Sequence, residues 1–162
     1  MRKTLKCRAT FLASAALLAA STAGFAIPDD SCTLIKAAEA ATVLDNPGPP
    51  EAGDSGISMD CTYKRDDDHL DLSVDVLPND KAKMETFRSV YDPKDIIELP
   101  GVGDVAFEFF QNRAEIRYQL RSIVVLKGST RFILNLYRKR GEVGEAFNAK
   151  LVAVAKSIAG RL

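Results

Sequence analysis

His69 is the only histidine in the 162 residues, and Asp66, Asp67 and Asp68 directly precede it. An imidazole beside carboxylates is the pairing that acid–base catalysis or a cation site would use, provided partners converge on it. The surrounding pattern predicts a polar turn that leads into a strand, with His69 on the solvent side opposite Leu70. The aspartate run lacks the spaced ligands and central glycine of a calcium loop, so it reads as a solvated turn. Ser55, Ser89, Ser122 and Ser129 have no G-x-S-x-G context, and one histidine would have to serve any triad. Gly101 and Gly103 suggest a phosphate loop, but no GK[ST] follows and the continuation reads as a strand, which supplies no helix N-terminus. The basic run Arg138, Lys139 and Arg140 has no aromatic platform beside it and reads as a turn, not a nucleic-acid contact. No catalytic residue, cofactor-binding residue or metal ligand is assigned from these patterns, and no cofactor is expected.

Two cysteines remain to be explained. Residues 1–26 begin with Arg2, Lys3, Lys6 and Arg8, carry no acid, and continue into an alanine-rich apolar run that ends in small residues. This is the pattern of a secretory signal peptide, with cleavage expected after Ala26 and a second possible point after Ala23. Cleavage removes Cys7. Cys32 and Cys61 are then left as a pair without CxxC spacing, which predicts a structural disulfide in a periplasmic or secreted domain of residues 27–162. Small apolar residues do not precede either Cys7 or Cys32, so no lipid anchor is expected. The apolar run is also shorter than the roughly 20 residues that span a bilayer, and no stable membrane span is expected after cleavage.

The balanced charge of the whole chain conceals an asymmetry. Residues 27–112 hold 7 basic and 19 acidic side chains, whereas residues 113–162 hold 11 basic and 3 acidic. Attraction between the two halves inside one fold is the expected use of this pattern.

The elements that must carry these residues follow from periodicity. Residues 31–44 read as a first helix, and residues 45–56, rich in proline and glycine, as an exposed loop. Alternation through Ile57, Met59, Cys61 and Tyr63, then Leu70, Leu72, Val74 and Val76, predicts a hairpin. A second helix carries Met84, Phe87 and Tyr91. Ile96, Ile97 and Leu99 form a connector into the turn at 101–104. Three or four strands follow, with a turn predicted at 111–113 and a weak boundary at Arg121. A last helix over 142–159 presents Val143, Phe147, Leu151, Val154 and Ile158. The result is an α+β domain in which helices cover an antiparallel sheet of five or six strands, in the order helix, two strands, helix, strands, helix. Phe109 and Phe110 are consecutive and must point to opposite faces of their strand. Either both faces are covered or Phe110 marks a binding surface.

The element order, the two cysteines, the Gly-Val-Gly-Asp-Val-Ala stretch at 101–106 and the Lys127-Gly128 turn together resemble small exported bacterial domains of unknown function. These include mycobacterial-type secreted lipoproteins, some of them related in fold to the PsbP and Mog1 proteins. Two features depart from that pattern: the lipobox is missing, and Tyr63 stands where a tryptophan is expected. The resemblance implies binding or assembly roles and supplies no functional residues. The expected function is a non-enzymatic binding domain for an envelope protein or a small apolar ligand. The alternative is an atypical envelope enzyme or an enzyme accessory subunit. The sequence carries no signal for oligomeric state.

Overall fold

Side chains of opposite character alternate along several segments of the chain, and these segments join one sheet. The structure is a computed structural model that describes residues 30–76, 80–113, 118–138 and 145–162. The expected signal peptide and its cleavage point lie outside these residues. The strands are β1 (Glu51–Asp54), β2 (Met59–Arg65), β3 (Asp68–Val76), β4 (Ile96–Glu98), β5 (Val105–Arg113), β6 (Tyr118–Lys127) and β7 (Thr130–Arg138). The helices are α1 (Ala37–Leu44), α2 (Asp80–Arg88) and α3 (Glu145–Ala159). The sheet is antiparallel and runs β1-β2-β3-β7-β6-β5-β4.

Register assigns the two faces. Cys61, Leu72, Leu134, Ile123 and Glu108 lie in one row across β2, β3, β7, β6 and β5, so they share the first face. Tyr63, Leu70, Val74, Phe132, Leu136 and Val125 join them, buried beneath α1 and α3. On α3, Leu151, Val154 and Ile158 are buried, as the helical stripe predicts, and Phe147 is partly covered. The second face is divided. Near β5 and β6, Phe107, Phe109, Val124 and Leu126 are buried against Met84 of α2, with Phe87 and Tyr91 beside them. Toward β2, β3 and β7 the same face carries Asp60, Thr62, His69, Asp71, Ser73 and Asn135, all half-buried. An apolar helix has nothing to bury there. The continuous apolar run Ile123, Val124, Val125, Leu126 is therefore covered on both sides, whereas β2 and β3 alternate.

Cys32 and Cys61 are bridged, with Cα atoms 5.0 Å apart. Cys61 is fully buried on the first face, so the bridge ties the start of the domain over the core. Such a bridge fits an oxidising compartment.

The expected first helix is interrupted. Asp30 Oδ1 accepts from Cys32 N at 2.8 Å and caps a single 3-10 turn, Ser31–Thr33. A separate α-helix then starts at Ala37, with Glu39 accepting from the Lys36 N–H at 2.8 Å. Among the described residues the strand count is seven, not the expected five or six. Part of the expected 45–56 loop is β1, with Ala52 opposite Cys61, and part of the expected connector is β4, with Ile97 opposite Glu108. Both are short edge strands, stabilised by pairing and not by their own pattern. The turn expected at 111–113 is also corrected, because β5 stays paired to β6 through Arg113, opposite Tyr118. The weak boundary at Arg121 disappears within β6, which is continuous from Tyr118 to Lys127.

The Gly-Val-Gly-Asp stretch is a structural joint. Gly103 has φ +63°, and a Cβ there would stand 2.6 Å from both Leu126 O and Val125 Cγ1. Asp104 accepts from Gly128 N at 2.7 Å and from Lys127 Nζ at 3.2 Å, locking this loop onto the β6–β7 turn. The Gly128 backbone bond, followed by Lys127, holds the Asp104 carboxyl below its usual range.

Part of the charge asymmetry is neutralised inside the fold. Glu39–Arg161, Asp68–Arg138, Asp75–Arg131, Asp104–Lys127 and Glu108–Arg121 each join an acid of the first half to a base of the second.

Candidate binding face

In the β5 run Val105-Ala106-Phe107-Glu108-Phe109-Phe110, Val105, Phe107 and Phe109 fall on the second face and Ala106, Glu108 and Phe110 on the first. Phe107 and Phe109 go under α2, which ends at Arg88 and not at the expected Tyr91; Tyr91 follows the helix and stacks on Phe109 with centroids 4.0 Å apart. Phe110 is 39% exposed. Its cross-strand neighbour is Arg121 of β6, whose Cζ lies 5.5 Å from the Phe110 ring centroid.

A charged cluster lies beside this ring. Glu108 is 1% exposed, and its Oε1 accepts from Arg121 Nη1 at 2.9 Å and from Asn148 Nδ2 of α3 at 3.0 Å. Glu108 Oε2, Arg121 Nε and Asn148 Oδ1 are buried without hydrogen-bond partners. Each such atom costs about 1–3 kcal/mol relative to a satisfied one, and a sealed ion pair adds little net stability. A cluster that core packing does not require calls for another explanation. On the edge strand, directly opposite Glu108, Ile97 is 55% exposed on the same face. The first face near the β4 edge thus presents two apolar side chains, Phe110 and Ile97, around a buried charge pair.

Sequence reading placed Phe110 on the face opposite Phe107 and Phe109, where the structure has it. It did not find Glu108, Arg121, Asn148 or Ile97. The available signal was a glutamate set between phenylalanines in an apolar strand, with an arginine in the next strand.

His69 lies on the solvent side, as expected, stacked on Tyr137 with centroids 4.3 Å apart. Its Nε2 is 3.6 Å from Asp71 Oδ2. Burial raises the Asp71 carboxyl above its usual range and Asp60 adds to this, while His69, Thr62 and Lys64 oppose it. The Ser122 hydroxyl is 2.6 Å from Asn135 Oδ1, to which it donates. Ser89 donates to Thr86 O. Arg138 bonds Asp68 at 3.0 Å and lies 4.3 Å over the Phe147 ring, so this residue of the basic run serves packing. Lys139 and Arg140 lie outside the described residues. Among the described residues no group of three or more His, Cys, Asp or Glu side chains could hold a metal, and no helix is long and apolar enough to cross a membrane.

Comparison of the chain with protein-family models, curated proteins and solved structures gives no match, and its function is to be argued from this geometry.

Proposed function

We propose that this chain is a non-enzymatic binding domain, exported to the periplasm or beyond, that docks an envelope protein on the face bearing Phe110 and Ile97. One observation carries the reading: two exposed apolar side chains flank a buried Glu108–Arg121 pair whose neighbouring polar atoms lack partners. Export is supported by the basic, then apolar, then small-residue leader and by the Cys32–Cys61 bridge. The resemblance to small exported bacterial domains points the same way, toward binding or assembly. Of the two ligand classes, a protein surface suits Phe110 and Ile97 better than a small apolar molecule, because both lie on an open margin. The alternative, an envelope enzyme or accessory subunit, draws support from the His69–Asp71 pair.

Site-specific photo-crosslinking tests the proposal. A benzophenone residue at position 97 or 110 should capture a discrete envelope protein. The same probe at Ile57 or Val90, which are 87% and 72% exposed, should not. Phe110→Ala should abolish capture at position 97 and leave the melting temperature within a few degrees. Equal capture at all four positions would overturn the proposal. So would a severe loss of stability in Phe110→Ala with capture unchanged.

A further inference from the structure

The two edges of the sheet are unlike. β1 is exposed along its length and carries Glu51, Gly53 and Asp54, with Ala52 as its largest apolar residue, which is how an edge is made unattractive to other strands. β4 is shorter but presents Ile97, next to Phe110. The hydrogen-bond phase of β4 follows from Leu99 N–H, which donates to Ala106 O at 3.0 Å. Alternation along an antiparallel ladder then turns the backbone groups of Ile97 toward β5 and those of Ile96 and Glu98 outward. The Ile96 N–H is taken by Pro93 O, which leaves Glu98 N–H, Glu98 C=O and Ile96 C=O along the open edge.

Side chains add a second condition. On the first face an added strand would lie against Ile97 and Phe110, which favours apolar residues. On the second face it would lie beside Glu98, which is paired to Arg88 of α2. Arg88 is shared between Glu85 and Glu98, one base against two carboxylates. Acids exceed bases there, so the second face favours basic residues.

We infer that β4 receives an extended segment of the partner protein, alternating apolar and basic residues, which adds as an eighth strand with its apolar side chains against Ile97 and Phe110. This rests on the docking face proposed above and assigns its occupant. Main-chain pairing supplies affinity and the alternating side chains supply specificity.

The probe is an acetylated, amidated hexapeptide of alternating lysine and valine, titrated into the mature isotope-labelled chain and followed by amide NMR. Shifts should centre on Ile96, Ile97 and Glu98, with the Glu98 amide exchanging more slowly with solvent. A glutamate–valine hexapeptide should bind at least about tenfold more weakly at low salt, a difference of 1.4 kcal/mol. Methylating the peptide's amide nitrogens along one edge should abolish binding, and along the other should spare it. Ile97→Asp should weaken binding without lowering the melting temperature by more than a few degrees. Shifts confined to β1, or no shifts at 96–98, would overturn the inference. So would slow Glu98 exchange in the chain alone with concentration-dependent dimerisation, since a second copy would then hold the edge. If methylation along neither edge matters while Phe110→Ala still abolishes envelope capture, edge pairing falls and the docking face stands.

Discussion

Arg161, two residues beyond α3, ties the end of that helix to α1. Its Nη1 and Nη2 reach Glu39 Oε1 and Oε2 at 2.8 and 2.7 Å, Nη2 also bonds Leu34 O, and Nη1 bonds Ser157 Oγ at 2.9 Å. The Glu39 and Arg161 side chains are 19% and 23% exposed. Burial alone would raise the Glu39 carboxyl, but hydrogen bonds from Arg161, Ser157 and the Lys36 backbone outweigh it and lower the pKa from 4.5 to about 2. A shift of that size corresponds to roughly 3 kcal/mol at 1.36 kcal/mol per unit, and residual solvent access reduces it to about 2–3. The folded value lies below the unfolded one, so the contribution is complete above pH 4.5 and is lost as pH falls from there through about 2. Glu39→Gln removes the titrating group and keeps an acceptor for the Lys36 N–H. Urea unfolding at neutral pH should show the variant less stable by about 2–3 kcal/mol, and the gap should close as pH approaches about 2. A gap that is the same at both ends of that range, or one below about 0.5 kcal/mol at neutral pH, would refute the reasoning.

Three further outcomes follow from the same structure. Intact mass of the protein recovered from the periplasm or medium should correspond to a chain beginning near Ile27, and a product retaining residues 1–26 would contradict export with cleavage. Peptide mapping without reductant should recover Cys32 linked to Cys61, and Cys61→Ala should lose about 3 kcal/mol with the loop closure; two free thiols in exported protein would count against the bridge. Gly103→Ala should destabilise by about 2 kcal/mol or more because its Cβ meets a carbonyl and a valine methyl, whereas Gly101→Ala, which has open space, should cost only about 1 kcal/mol for its positive φ. Equal losses at the two glycines, measured by thermal melting, would show that steric closeness at Gly103 is not the deciding factor.

Local pattern was enough wherever one side chain's neighbours along the chain settle its environment. The alternation of Cys61 and Tyr63, and of Phe132, Leu134 and Leu136, marks the buried face of β2 and β7, whereas Ile57, expected on the same face, lies before β2 and is exposed. The stripe Leu151, Val154 and Ile158 marks the buried face of α3. The same period of two separated Phe110 from Phe107 and Phe109, and the cysteine count in the expected mature chain left one pairing for the bridge. Tertiary structure decided everything that depends on a partner distant in sequence. β1 and β4 are too short, and β1 too rich in breakers, to announce themselves; they exist because β2 and β5 each offer an unpaired edge. The adjacency of β3 and β7, which seats Arg131 against Asp75, crosses 56 residues. Glu108 acquires its surroundings from Arg121 and, 40 residues away, from Asn148. Periodicity reports which way a side chain points, and only the closed fold determines what it meets there.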